Sequence, residues 1–120
     1  MGFKKYKWHK IADKETDIQW YPGDIGEVDV DGKKFCIARV KEGWYGFSHT
    51  CPHAGAPMTD GYIDGACNVV CPVHQLKFNL KNGRDVNGEG YALKTYPVEQ
   101  RADGIFIGME EAGGLFKKWF

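Results

Sequence analysis

The sequence predicts an all-β fold, and two observations support this prediction. Short apolar or alternating runs follow one another along the chain, and glycine-containing turn dipeptides separate them. Glycine occurs 16 times in 120 residues, and no stretch of about 11 residues keeps helical apolar spacing without a glycine interrupting it. Residues 12–19 have room for one or two helical turns. We therefore expect strands joined by tight turns along the whole chain.

The first half of the chain predicts an antiparallel meander. Residues 25–30, 35–40 and 44–47 are apolar or alternating runs, with Asp-Gly at 31–32 and Glu-Gly at 42–43 between them. Asp-Gly is a strong hairpin signal, because both residues tolerate the positive φ angles of a tight turn. Consecutive strands are therefore expected to be neighbours in one sheet.

The second half of the chain continues this pattern. Asp-Gly or Asn-Gly pairs recur at 64–65, 82–83 and 103–104. The last pair stands between the apolar segments 96–98 and 105–107, which predicts a closing hairpin.

Length and composition predict one compact domain over residues 1–120. The chain is 42% hydrophobic and 14% aromatic, which is enough for a hydrophobic core. Its 16 basic residues balance its 16 acidic ones, so bulk charge predicts neither nucleic-acid binding nor attraction to an anionic membrane. No apolar run approaches the roughly 20 residues needed to span a bilayer, and the first residues lack a signal-peptide core. We therefore expect no membrane anchor and a cytoplasmic location.

Four cysteines are present, at Cys36, Cys51, Cys67 and Cys71. In a secreted protein they would make two disulfides, but the absence of an export signal favours metal chemistry plus spare thiols.

Two short segments carry the metal-binding pattern. Cys51 and His53 form a C-x-H box, and Cys71 and His74 form a C-x-x-H box after 17 intervening residues. We call them the first box and the second box. Two thiolate and two imidazole donors converge if the two loops face each other.

The composition of the boxes suits rigid, metal-binding loops. Each Cys precedes a proline, which biases that Cys towards extended backbone and stiffens the loop. The small residues Ala54, Gly55 and Ala56 leave room for a bulky inorganic group, and free backbone N–H groups can point at its sulfurs.

The two boxes resemble those of Rieske iron–sulfur proteins, and the likeness is detailed over residues 48–88. It implies one [2Fe–2S] cluster per chain, with Cys51 and Cys71 on the inner iron and His53 and His74 on the outer iron. It also implies a Rieske-like antiparallel β-sandwich with a small inserted cluster-binding subdomain at about residues 48–88. An added electron is then expected on the His-ligated iron, near the surface.

The resemblance also predicts where the reduction potential lies. High-potential Rieske proteins carry a disulfide between the two loops, whereas this chain has Ala56 and Val73 at the corresponding places. Hydroxyl donors to the sulfurs in that group are replaced by Leu76 and Phe78. Because fewer donors to sulfur lower the potential, we expect a low value, like that of ferredoxins serving aromatic-ring dioxygenases.

The chain departs from the family pattern at Gln75, where the family usually has Gly after the second His. Either Gln75 tolerates the backbone angles of the loop, or its amide shapes a partner surface.

Several other residues are read as structural. We expect Cys36 to be a small core residue, Cys67 to lie in a strand leading into the second loop, and His49 to be a polar residue at a strand end. The tail at residues 111–120 carries three aromatic residues and two lysines. It either packs on the sandwich or forms a docking or dimer-forming patch.

The leading functional hypothesis is an electron carrier that takes single electrons from a reductase and passes them to a terminal oxygenase. A self-contained oxygenase needs a further iron site with two His and a carboxylate, yet only His9 and His49 remain, so we expect no enzyme activity. One alternative is the small Rieske-like subunit of an assimilatory nitrite reductase, whose large subunit would be the electron-accepting reductase. Another is a zinc-stabilised interaction module, although structural zinc sites more often pair C-x₂₋₄-C with H-x₃₋₅-H.

Overall fold

The computed structural model describes residues 5–110, which are almost entirely β. The strands are β1 (Tyr6–Ala12), β2 (Gln19–Tyr21), β3 (Ile25–Val30), β4 (Lys33–Val40), β5 (Gly43–Ser48), β6 (Tyr62–Ile63), β7 (Asn68–Val70), β8 (Lys77–Asn79), β9 (Thr95–Arg101) and β10 (Gly104–Glu110). Two single-turn 3₁₀ helices, Glu15–Asp17 and Met58–Asp60, complete the elements of this part of the chain. No helix among these residues is long and apolar enough to cross a membrane. The all-β prediction is confirmed.

The strands form two antiparallel sheets. The large sheet has the order β1-β10-β9-β5-β4-β3-β2, and the small sheet has the order β6-β7-β8. The predicted meander is β3-β4-β5. Its first turn places Asp31 at φ 53° and Gly32 at φ 82°, both in the left-handed region that a type I′ hairpin requires.

The closing hairpin is also present. β9 and β10 form an antiparallel pair in which Gly104 lies opposite Arg101. The other edge of β9 pairs with β5, and the other edge of β10 pairs with β1. The hairpin therefore joins the meander to the first strand. The tail at 111–120 and the two readings offered for it lie outside the described residues.

The large sheet curls so that its two ends share one hydrophobic core. Contacting residues of this core come from β1, β3, β4, β9 and β10, and from the segment before β2. They are Ala12, Ile18, Val28, Val30, Phe35, Ile37, Val98, Ile105 and Ile107. Burial of this apolar surface supplies the main driving force for folding the large sheet.

A second core lies between the large sheet and the small sheet. Phe35 and Ile37 of β4 point into the first core, whereas Cys36 and Ala38 of the same strand point into the second. Alternate side chains of a strand face opposite sides, so β4 is buried on both faces. This explains why residues 35–38 form a continuous apolar run instead of alternating.

The two sheets meet where backbone packs directly on backbone. A Cβ added to Gly23 would overlap the Gly61 carbonyl oxygen. On the small-sheet side, one added to Gly61 would overlap the Val70 carbonyl oxygen of β7. The Ile63 N–H also donates to the Gly23 carbonyl oxygen at 2.9 Å. This contact, which we call the glycine joint, fixes the small sheet against the turn between β2 and β3.

The glycine joint predicts the effect of a single methyl group. Gly23→Ala should lower the free energy of unfolding by about 1–3 kcal/mol, because the rigid backbone at Gly61 and Tyr62 must shift to make room. Urea unfolding followed by fluorescence measures the change. Gly65→Ala is the matched control, since nothing lies within 4 Å of its added Cβ, and it should stay within about 0.5 kcal/mol of wild type. Equal losses in the two variants would contradict the role given to the joint.

Candidate metal centre

The first box forms a closed loop between β5 and the second 3₁₀ turn. The Cys51 N–H donates to the Ala56 carbonyl oxygen and the Gly55 N–H donates to the Cys51 carbonyl oxygen, both at 2.9 Å. The Met58 N–H donates to the His49 carbonyl oxygen at 2.7 Å and closes the base of the loop. Gly55 takes φ 70°, a left-handed angle that glycine adopts without steric cost.

The second box is the turn of the β7-β8 hairpin, and it repeats the closing bond of the first. The Cys71 N–H donates to the Leu76 carbonyl oxygen at 2.8 Å, so in both boxes the Cys bonds the residue five positions on. His74 and Gln75 are consecutive left-handed residues, at φ 62° and 54°. Gln75, four positions after its Cys, corresponds to Gly55 of the first box. It therefore adopts the backbone angle, but at a cost that glycine avoids.

The four predicted ligands come together as two pairs. Cys51 and Cys71 are 2% and 0% exposed, and their thiols lie within hydrogen-bonding reach of each other. Burial raises the pKa of the Cys71 thiol, and the neighbouring Cys51 raises it further, whereas the Val73 N–H opposes both effects. The rings of His53 and His74 have centroids 5.3 Å apart, on the solvent side of the cysteines.

One ring nitrogen of His53 is a candidate metal-binding atom. Its Nδ1 is buried and has no hydrogen-bond partner among the described residues. Buried polar atoms almost always have a partner, so an unpartnered ring nitrogen fits a bond to a metal. Thiolate and imidazole are also the ligand types that Rieske iron–sulfur centres use.

The pairing of the ligands also bears on the zinc alternative. No group of three or more His, Cys, Asp or Glu side chains gathers around a single ion position within residues 5–110. A thiol pair and an imidazole pair suit a centre with two metal atoms better than a single tetrahedral ion.

The surroundings of the boxes are apolar. Leu76 and Phe78 are 4% and 0% exposed and belong to the second core, and Ala56 and Val73 pack against it. None of these four side chains carries a hydrogen-bond donor. The positions of these residues are therefore consistent with the expectation that their side chains donate no hydrogen bonds to cluster sulfurs.

The remaining sulfur and imidazole groups have other surroundings. Cys36 is fully buried in the second core, where burial raises the pKa of its thiol to about 12, consistent with the structural role expected of it. His49 lies at the end of β5, and its Nε2 is 3.2 Å from Glu27 Oε1. Cys67 is buried beside the Tyr45 hydroxyl, but it occupies a left-handed turn position (φ 63°) just before β7 and not a strand.

Sequence reasoning missed two residues at this site. The ring of Tyr91 packs edge to face on His53, with centroids 4.7 Å apart, and the carboxylate of Asp85 accepts a hydrogen bond from the Tyr91 N–H at 2.7 Å. The only local signal was the glycine-rich segment around Gly88 and Gly90, which indicates a loop but not what the loop contacts.

The strain at Gln75 predicts a stabilising substitution. Gln75→Gly should raise the free energy of unfolding by up to about 1 kcal/mol, because glycine adopts the left-handed region without the Cβ penalty. The converse substitution, Gly55→Ala, is the control. Its added Cβ has open space around it, so its free energy of unfolding should fall by about 1 kcal/mol through backbone strain alone. Urea unfolding of the cluster-containing proteins measures both. A Gln75→Gly protein no more stable than wild type would show that the angle costs nothing.

Comparisons with known proteins agree with the fold and with the family that the two boxes resemble. A ferredoxin component of the naphthalene 1,2-dioxygenase system of Pseudomonas aeruginosa is 33% identical over 86 residues, covering 71% of this chain and 82% of the relative. A solved complex of reduced oxygenase and oxidised ferredoxin in carbazole 1,9a-dioxygenase matches with a TM-score of 0.67 and 27% identity, covering 83% of this chain and 91% of the other.

A third match is to the fold alone. A nitrite reductase small subunit structure from Mycobacterium tuberculosis, described as NADH-dependent, has a TM-score of 0.68 at 20% identity, covering 90% of this chain and 97% of the other. The model of the Rieske [2Fe–2S] domain family matches residues 7–97, well over half of the sequence. The chain therefore belongs to the Rieske [2Fe–2S] family, whose members bind a [2Fe–2S] cluster in this domain.

Proposed function

We propose that Cys51, His53, Cys71 and His74 hold the cluster, with the thiolates on the inner iron and the imidazoles on the outer iron. The unpartnered, buried Nδ1 of His53 is the observation that carries this assignment. The contact between the two cysteine thiols and the proximity of the two imidazole rings support it. When bound, the cluster supplies a one-electron couple.

We propose further that the protein carries electrons and does not itself transform a substrate. The thiols are buried, whereas His53 is half-buried and His74 is exposed. Such an arrangement insulates one side of the centre and leaves its imidazole side within reach of a docked protein. The other side is enclosed by the second core, which excludes water from the cysteines.

The partners follow from the relatives. The Pseudomonas aeruginosa relative is the ferredoxin component of a dioxygenase system, and the solved carbazole 1,9a-dioxygenase complex joins a ferredoxin to an oxygenase. On this basis the donor for the present protein is a reductase and the acceptor is a terminal oxygenase, and the proposed location is the cytoplasm. The nitrite reductase alternative has the fold in its favour but no more than the fold.

Reconstitution tests this function directly. The purified protein should be reduced by NADH through a flavin reductase of a dioxygenase system and reoxidised by the matching terminal oxygenase, as followed by the visible absorption of the cluster. Omitting either partner is the control. Stable co-purification with a sirohaem subunit, together with no electron transfer to any oxygenase, would favour the nitrite reductase reading instead.

The ligand assignment predicts which cysteines the cluster requires. Cys71→Ala should abolish the cluster, because one iron loses a thiolate that no neighbour replaces, whereas Cys36→Ala and Cys67→Ala should retain it. Iron and acid-labile sulfide analysis measures occupancy. The dithionite-reduced EPR spectrum should show an average g value below that of all-Cys clusters. Retention of this spectrum by Cys71→Ala would overturn the assignment.

The apolar surroundings of the centre predict a low reduction potential. Voltammetry should give a midpoint towards the bottom of the roughly −150 to +300 mV range of Rieske centres, because Leu76 and Phe78 donate no hydrogen bonds to sulfur. Phe78→Tyr restores a hydroxyl at the position where high-potential relatives carry one and should raise the midpoint. A wild-type midpoint well above zero would contradict this prediction.

A further inference from the structure

Residues 85–91 contain a buried carboxylate that the ligand set does not account for. Asp85 is 9% exposed, and its oxygens accept hydrogen bonds from the N–H groups of Glu89 at 2.8 Å and Tyr91 at 2.7 Å. The Asp85 N–H donates in return to the Tyr91 carbonyl oxygen at 3.1 Å. The donating amides, that of Glu89 first, lower the pKa of Asp85 and keep it charged. Asp85 thus folds the segment back on itself: its carboxylate holds the Tyr91 N–H, and its backbone N–H holds the Tyr91 carbonyl oxygen.

This segment is anchored to the strand that follows the second box. Asp85 forms an isolated β-bridge with Phe78 of β8, and the Val86 N–H donates to the Lys77 carbonyl oxygen at 2.9 Å. Since β8 begins three residues after His74, the position of Asp85 is tied to that of the second box.

Tyr91 reaches from this anchored segment to the first box. Its ring meets that of His53 with centroids 4.7 Å apart and an interplanar angle of 66°. Tyr91 is 37% exposed, and its ring covers part of the half-buried His53. His74, by contrast, is exposed. The two imidazoles of the centre therefore have unequal access to water.

We propose that Asp85 and Tyr91 form a clamp in which Tyr91 screens His53 from water and Asp85 holds Tyr91 in place, so that together they set the potential and the lifetime of the cluster. This proposal rests on the ligand set proposed above. Tyr91 touches a ligand directly, whereas Asp85 acts through Tyr91 as a positioning residue. Outer-shell groups of this kind fix the orientation of a metal-bound imidazole and control the solvent that reaches it.

The sign of the expected change in reduction potential follows from the net charge of the centre. With two thiolates and two neutral imidazoles, the oxidised centre carries no net charge and the reduced centre carries one negative charge. Water stabilises the charged state more than the neutral one. Removing the Tyr91 ring should therefore raise the potential, and it should also speed cluster loss by opening a path to the outer iron.

The first arm of the test compares Tyr91→Phe with Tyr91→Ala in the cluster-containing protein. Tyr91→Phe keeps the ring and should retain the wild-type midpoint potential and EPR g values. Tyr91→Ala should raise the midpoint, alter the g values and lose its cluster to a chelator about tenfold faster. If Tyr91→Ala matches wild type in all three measurements, the screening role is overturned.

The second arm asks whether Asp85 acts through Tyr91, since removing a negative charge also raises a potential directly. Asp85→Asn should raise the potential and lower chelator resistance in the wild-type background, but add little to either change in the Tyr91→Ala background. Equal shifts in the two backgrounds would show a direct charge effect and overturn the positioning role.

Asp64→Asn is the matched control for the second arm. Asp64 accepts backbone hydrogen bonds from Ala66 at 2.8 Å and Asn68 at 3.0 Å, but it does not hold Tyr91. Losing the same charge there should leave chelator resistance and g values unchanged, and a loss equal to that of Asp85→Asn would overturn the clamp. Failure of the ligand assignment looks different, because the wild-type protein itself would then lack the Rieske EPR signal.

Discussion

The meeting of the two cysteine thiols in the apolar space between the sheets is the contact on which the rest of the structure depends. Cys51 belongs to a loop that leaves the large sheet after β5, and Cys71 belongs to the turn of the small sheet. They meet only if the two sheets keep a fixed separation. The glycine joint and the two-faced burial of β4 supply that constraint, since the joint brings backbone directly against backbone and β4 packs its side chains into both cores.

From the contact between the thiols outward, the side chains of the two boxes change from buried to solvent-exposed. The thiols lie in the second core, His53 is half-covered and His74 faces solvent. With the proposed ligand set, the apolar residues behind the thiols would withhold hydrogen bonds from the cluster sulfurs and disfavour the reduced state, whereas the imidazoles would favour it. Tyr91 adds an asymmetry within the imidazole pair. In this proposal the same few side chains govern how strongly the centre holds an electron and on which side it is exposed.

The sequence predicted those features that are local in the chain. The turns at 31–32 and 103–104, the two boxes and the burial of Cys36 each follow from residues that lie close together. It did not predict features that depend on distant residues. Gly61 looks like any turn glycine until Val70 is placed against it, and Tyr91 looks like a loop aromatic until the fold brings His53 beneath it. Cys67 was expected in a strand, but a left-handed turn precedes β7, which no single-residue propensity signals.

The pairing of β1 with β10 has a consequence for how the protein is made. Tyr6 lies opposite Glu110, so the last ladder of the large sheet joins segments about a hundred residues apart in sequence. Contacts of such separation form late, because the entropy of closing a long loop must be overcome first. Both boxes, in contrast, are closed by bonds that span only five residues. Each loop can therefore close on itself during synthesis, before the sheet that supports it is complete, whereas the two loops face each other only after both sheets have formed.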